Sequence, residues 1–369
     1  MRLKIGLICL DNDKAVENTT VFKPLRMAAN SAMTGVVLSA ASSRVIHKHA
    51  YIIGPRTWWA GAGQLWSKAE KRWRAPRRLV GTVIGMTTAF VLTGGGNLGA
   101  VQAGQLQALL EAGILPDLLV GTSVGALNAA FLAGACDVEG CRSLSELWSR
   151  IGRADIFPAR PFVGLSGFMG RRAFMVPDTG LRALLRTALR FELIEDAQIP
   201  LHVVACELRT GQEVLFSTGN AIDAVCASSA IPGVFPPVAI GDRVFVDGGI
   251  ANNAPISHAI NLGADTIWVL PCGYACALQR VPTGAIGVAL QALSVLIGRR
   301  LAVDVMRYSG QHDLRVVPSL CPVNVLPTDF SQSTRLMRDA YQSTSAWLLA
   351  ESNGSSDTIG IERLVPHAH

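Results

Sequence analysis

Three short stretches of this chain hold residues that could perform covalent chemistry together. Gly121-Thr122-Ser123-Val124-Gly125 is a G-x-S-x-G run with an apolar segment before it and a small-residue segment after it. Such a run turns a strand sharply into a helix, holds the serine in a strained backbone conformation and exposes its hydroxyl. The following helix points its positive end at the serine, which favours negative charge developing there. The chemistry is nucleophilic attack by Ser123 on a carbonyl carbon, and the alternative is a turn serine with no role.

A serine nucleophile needs hydrogen-bond donors for the oxyanion and an acceptor for its own proton. Gly94, Gly95 and Gly96 end the apolar run that precedes the serine's strand. In a parallel sheet that places them at the same carboxyl edge as Ser123. Successive glycines let backbone N–H groups converge, and a helix opening at Gly99 adds its N-terminal dipole. Gly94, Gly96 and Gly99 also fit G-x-G-x-x-G, the dinucleotide fingerprint, which requires an acid at the end of the second strand. Ser123 follows that strand's end, while Asp117 opens the strand at the opposite edge, so the dinucleotide reading fails.

Two proton acceptors compete. Asp247 ends an apolar run and is followed by Gly248 and Gly249, which leave it room to approach another side chain closely. The order serine, aspartate, histidine also permits a triad through His258 or His312, as in α/β-hydrolases. His258 falls in the apolar helix start "APISHAI", and the residues alone leave both schemes open. His202, inside "LHVVACEL", reads as a structural histidine. Asn252 and Asn253 are expected to cap the turn after Asp247, or else to orient the aspartate.

The elements that must carry these groups are regular from residue 88 onward. The pattern predicts strand 89–93, helix 99–112, strand 117–122 and helix 124–134, with further helices near 143–150 and 178–190. Strand, helix, strand, helix means right-handed crossovers and a parallel sheet. Two hairpins follow, turning at Thr210-Gly211 and at Gly241-Asp242. Helix 255–262, strand 266–270, helix 286–308, strand 313–317 and helix 332–350 complete the pattern. Residues 155–177, rich in Phe, Gly and Pro and carrying Arg171 and Arg172, form a candidate lid or a solvated loop.

"GGGNLG", "GTSVG" and "DGG", in that order, together with "ASSAIPGVFPPV" at 227–238, resemble the patatin-like phospholipase family over roughly residues 88–275. The resemblance implies a three-layer α/β/α fold with a mainly parallel central sheet and a nucleophile elbow. It also implies hydrolysis of lipid acyl esters by a serine–aspartate dyad, with no cofactor and no metal. Carried over by position, Ser123 is the nucleophile, Asp247 the general base, and Gly94, Gly95 and Gly96 the oxyanion hole. Gly99, Gly121, Gly125, Gly248 and Gly249 support these motifs. Members often carry Arg or Lys before the last glycine of the first motif, where this chain has Leu98, a departure that weighs against a phospholipid preference. A histidine-dependent esterase and a catalytically silent lipid-binding protein are the alternatives.

Composition bounds the rest. The chain has 369 residues, 50% of them hydrophobic, with a net charge of +6. Lys68, Lys71, Arg72, Arg74, Arg77 and Arg78 face only Glu70 between 68 and 78, so the charge is local and no broad nucleic-acid face is expected. Trp59, Trp66 and Trp73 recur every seventh residue, so 58–78 reads as a helix lying in a membrane interface, against an ordinary packed helix or no stable structure. Residues 1–85 are expected to be an N-terminal extension, 86–350 the catalytic domain and 351–369 a flexible tail. Translation from Met86 is a further reading. Eight cysteines show neither zinc spacing nor a C-x-x-C pair, which predicts no metal site and no disulfide framework. The N-terminus lacks a secretory pattern, so a cytoplasmic location with peripheral membrane association is expected. Oligomeric state is not legible.

Overall fold

The computed structural model describes residues 10–11, 14–15, 86–158, 164, 169, 171–273, 284–321, 323, 325 and 329–352. The basic, tryptophan-rich stretch 58–78 and the tail beyond Ser352 lie outside the described residues. The chain divides into two units, Met1–Arg78 and Leu79–His369. Of the first, Leu10–Asp11 pairs antiparallel with Lys14–Ala15.

In the second unit β1 (Thr88–Leu92), α1 (Gly99–Glu111), β2 (Leu118–Thr122) and α2 (Val124–Ala133) alternate as the sequence predicts. α3 (Val138–Arg150) starts earlier than expected, because Asp137 caps it by accepting the Gly140 N–H. The short α4 (Arg153–Ile156) and then α5 (Thr179–Ala188) lead to the hairpin of β3 (Leu201–Glu207) and β4 (Glu213–Phe216). α6 (Ala221–Ser228) is an element the periodicity does not show. Its small apolar residues are buried almost all round, so no polar stripe marks it, although Asn220 caps it at the Asp223 N–H. The hairpin of β5 (Val238–Ile240) and β6 (Arg243–Asp247) runs into α7 (Gly249–Asn252) and α8 (Ile256–Asn261). β7 (Thr266–Leu270), α9 (Ala285–Tyr308), β8 (Asp313–Val316) and α10 (Ser333–Ser352) close the unit.

The sheet order is β8-β7-β1-β2-β3-β6-β5, with β4 also paired to β3. The run from β8 to β3 is parallel, and β4, β5 and β6 pair antiparallel. Alternating strand residues feed two cores. Phe90, Leu92, Leu119, Val203 and Trp268 pack with α1, α2, α3, α5 and α6, whereas Ala89, Val91, Val120, Val204 and Val269 pack with α8 and α9. This is a three-layer α/β/α arrangement. β1 and β2 are buried on both faces, which explains their unbroken apolar sequence.

One cysteine departs from expectation. Cys321 is disulfide-bonded, while Cys136, Cys141, Cys206, Cys226 and Cys272 are free. Pairing depends on two Cα atoms meeting in space, which sequence spacing does not reveal.

Candidate active site

Ser123 joins β2 to α2 with φ 56° and ψ −126°. It is the one non-glycine residue with positive φ among the described residues. Such a conformation costs on the order of 1–3 kcal/mol and persists only where surrounding bonds over-determine it. Three such bonds are present. The Ser123 N–H donates to Ser228 Oγ at 2.8 Å, and the Ser123 carbonyl accepts from Ala126 and Leu127 at 2.9 and 3.2 Å. A side chain on Gly125 would be driven into the backbone carbonyls of Leu92 and Thr93, so only glycine lets α2 approach β1 this closely.

Asp247 ends β6 directly opposite Ala205 of β3. Its Oδ2 accepts the Ser123 hydroxyl at 2.7 Å, and its Oδ1 accepts the Gly249 N–H at 2.8 Å. The Asp247 N–H donates to the Ala230 carbonyl at 2.9 Å and the Gly248 N–H to the Ser228 carbonyl at 3.2 Å. The last residue of α6, Ser228, and Ala230 just beyond it therefore grip both partners. Burial pushes the Asp247 carboxyl up to about 6, opposed by the bonds from Ser123 and Gly249. A carboxylate of that basicity is better matched to proton transfer near neutral pH than an ordinary aspartate.

The glycine cluster lies beside this pair, but its three amides are not equivalent. Gly94, expected among the oxyanion donors, donates its N–H to Asn253 Oδ1 at 3.1 Å and so ties the loop to the segment after Asp247. Gly95 and Gly96 donate to no described residue, which leaves two neighbouring N–H groups at the serine's edge of the sheet. Gly95 passes so close to Cys272 that any side chain would strike it.

The loop rests on a buried polar network that the sequence did not reveal. Gln102 Nε2 donates to the carbonyls of Thr93 and Leu270 at 2.9 and 2.8 Å. Asn128 Nδ2 donates to Gln102 Oε1 at 2.9 Å and to the Gly99 carbonyl at 3.0 Å. Trp148 Nε1 closes the chain on Asn128 Oδ1 at 2.9 Å. α1, α2 and α3 thus hold the carbonyls of Thr93 and Gly99 on either side of the glycine loop, while the Gly95 and Gly96 amides donate to no described residue. The one signal in the sequence was a polar residue in an otherwise apolar helix, and that has many innocent causes. Nothing in the type or spacing of Ser228 marks it, because its bond to Ser123 exists only after α6 folds back over the sheet.

The described histidines lie elsewhere. His258 Nε2 is 3.4 Å from Glu213 Oε1, His202 Nδ1 is 2.7 Å from Ser217 Oγ, and His312 stacks at an angle on Tyr308. Asn252 donates to Ser257 Oγ at 3.1 Å rather than reaching the carboxylate. Gly99 opens α1, and Gly121, Gly125, Gly248 and Gly249 flank the two central residues. Among the described residues no group of three His, Cys, Asp or Glu side chains is placed to hold a metal ion. Asp117 accepts the Thr88 N–H at 2.8 Å at the amino edge of the sheet, far from where a ribose acceptor would be needed. Part of the candidate lid, 159–163, 165–168 and 170, lies outside the described residues; its end is bonded to the segment after α6 through Met175 and Val176.

Residues 90–260 match the family described as patatin-like phospholipase. An uncharacterized NTE family protein of Mycobacterium tuberculosis (strain ATCC 25618 / H37Rv) is 30% identical over 227 residues, covering 59% of this chain and 36% of that protein. Lysophospholipase nte1 of Aspergillus terreus (strain NIH 2624 / FGSC A1156) is 32% identical over 209 residues, covering 54% of this chain and 12% of that protein. The chain therefore spans about a third or less of the length of these relatives. Among solved structures, human GIVD cytosolic phospholipase A2 aligns with a TM-score of 0.41 at 13% identity, over 79% of this chain and 63% of that one.

Proposed function

We propose that this chain, whose residues 90–260 match the patatin-like phospholipase family, hydrolyses the carboxylic-ester bond of a lipid with Ser123 as nucleophile and Asp247 as its base. The observation that carries the reading is the 2.7 Å hydrogen bond from a strained, elbow-mounted serine to a buried carboxylate. That no described histidine bonds to either residue favours the dyad over the triad.

In this mechanism the Ser123 proton passes to Asp247 as Oγ forms a bond to the ester carbonyl carbon. The carbonyl electrons move onto oxygen, where the N–H groups of Gly95 and Gly96 stabilise the charge. Collapse breaks the bond to the alcohol, which leaves with the proton from Asp247. A water molecule then gives its proton to Asp247 and attacks the acyl-serine; collapse releases the fatty acid and returns the proton to Ser123. The proposal includes a peripheral membrane contact through 58–78 and a cytoplasmic location.

Covalent labelling tests the reading. The full-length chain is incubated with a fluorescent fluorophosphonate, beside Ser123→Ala and Asp247→Ala. Labelling of the wild type that vanishes in the serine variant and falls sharply in the aspartate variant is expected. A folded wild type that neither labels nor turns over a soluble short-chain ester would sink it in favour of a silent lipid-binding protein.

A further inference from the structure

The solvent side of α9 has the wrong composition for water. Val288, Leu296, Val303 and Met306 are 50%, 66%, 52% and 53% exposed, and Ala292, Arg299, Arg300 and Arg307 are exposed with them. At about 100° per residue these positions fall within roughly 120° of arc, so they form one stripe along the helix. A surface helix normally turns charged and polar residues outward; this one turns out aliphatic side chains with arginines between them.

The opposite side accounts for the rest of the helix. Leu301, Ala302 and Val305 are buried in the core beneath the sheet. The helix's one acid, Asp304, is also buried, and it accepts from Arg300 Nε at 2.8 Å. Among the described residues Arg299 and Arg307 have no carboxylate within ion-pairing distance, and Arg307 lies only over the Tyr308 ring. The stripe is thus apolar with an uncompensated positive charge.

Its position matters as much as its composition. α9 packs against α7, the short helix that follows Asp247, and Ile297 lies beside Gly249, whose N–H holds the Asp247 carboxylate. Ile250, the next residue of α7, is itself exposed.

We propose that the outer stripe of α9 is a surface, additional to 58–78, by which this protein docks on a lipid bilayer carrying anionic headgroups. Val288, Leu296, Val303 and Met306 enter the headgroup–acyl boundary, while Arg299 and Arg307 pair with phosphates above it. Arginine suits this place because its apolar stem lies along the stripe and its guanidinium reaches outward to a phosphate. This rests on the lipid-ester reading above, since it explains how a lipid surface comes to lie next to Asp247 and Ser123. No described helix is long and apolar enough to cross a membrane, so the contact is one of lying on the surface.

The test is co-sedimentation of the full chain with vesicles of phosphatidylcholine alone and of phosphatidylcholine with phosphatidylglycerol, separately from turnover. The wild type is expected to bind the mixed vesicles and to lose binding as salt rises. Leu296→Glu with Val303→Glu should weaken binding by about tenfold or more, as the loss of two buried aliphatic side chains requires. Arg299→Glu with Arg307→Glu should weaken the preference for phosphatidylglycerol by about tenfold or more, and an unchanged preference would overturn the proposal. Circular dichroism and hydrolysis of a soluble short-chain ester should be unchanged in both, which separates this inference from the catalytic one. No binding by the wild type would overturn it. So would binding lost on Trp59→Ala, Trp66→Ala and Trp73→Ala but indifferent to the α9 changes, which would assign the contact to 58–78. A dimer dissociated by Leu296→Glu, with vesicle binding intact, would assign the stripe to a second copy and overturn it equally.

Discussion

Ser228 Oγ accepts the backbone N–H of Ser123 at 2.8 Å and donates to the carbonyl of Val204 at 2.5 Å, so a residue on α6 fixes the strained turn to the neighbouring strand. Both bonds are buried, where an unmade one is expensive. Ser228→Ala should therefore destabilise the protein by about 1–3 kcal/mol and lower turnover of a soluble ester by about tenfold or more, with KM changed less than kcat. Urea melts and steady-state kinetics check this, and unchanged kcat would mean the elbow holds itself.

In the proposed mechanism Asp247 sets the pH dependence: as a base it works only when ionised, and burial raises its carboxyl to about 6. Activity on a soluble ester should fall as pH drops through about 6, with no corresponding limb in the ordinary carboxylate range. Asp247→Asn should reduce kcat by about 10²–10⁴. A limb below pH 4.5 would remove the argument from burial.

The same shift makes a stability prediction of opposite sense. The folded carboxyl holds its proton more tightly than the unfolded one, so the folded state loses stability as pH rises from the ordinary carboxylate range through about 6. Asp247→Asn removes that cost while keeping the shape. It should be more stable than the wild type at pH 8, by at most about 3 kcal/mol, and the gain should shrink toward pH 4. Thermal melts across this range would show it.

Gln102 supports the glycine loop from below. Gln102→Met keeps the volume but leaves an Asn128 N–H without its acceptor and takes one of two donors from each of the Thr93 and Leu270 carbonyls, which keep Cys272 Sγ and the Thr93 N–H. We expect slower fluorophosphonate labelling together with about 1–3 kcal/mol of lost stability. Labelling at the wild-type rate would show that the Gly95 and Gly96 amides are positioned without the network.

Leu98 packs against the main core instead of offering a cation beside the glycine loop. Leu98→Arg should raise kcat/KM for an anionic phospholipid relative to a neutral ester. A ratio that does not move would clear Leu98 of any part in head-group choice.

Much of the second unit was legible in the sequence because local rules determine it. The elbow at Ser123 was identifiable from its glycines, since Gly121 and Gly125 let a strand turn straight into a helix there. β1, α1, β2 and α2 followed from apolar period and length alone. The order of the three motifs singled out Asp247 only through a resemblance; its chemistry alone left His258 in contention. Tertiary structure decided what depends on segments far apart in the chain. It brought Asp247 to 2.7 Å from Ser123, turned the Gly94 amide toward Asn253, and folded α6 back so that Ser228 could hold the elbow. It also turned one stripe of α9 outward, because the other stripe was needed by the core. Periodicity says that a helix has faces; only the packing of the whole sheet decides which face is left for solvent or a partner.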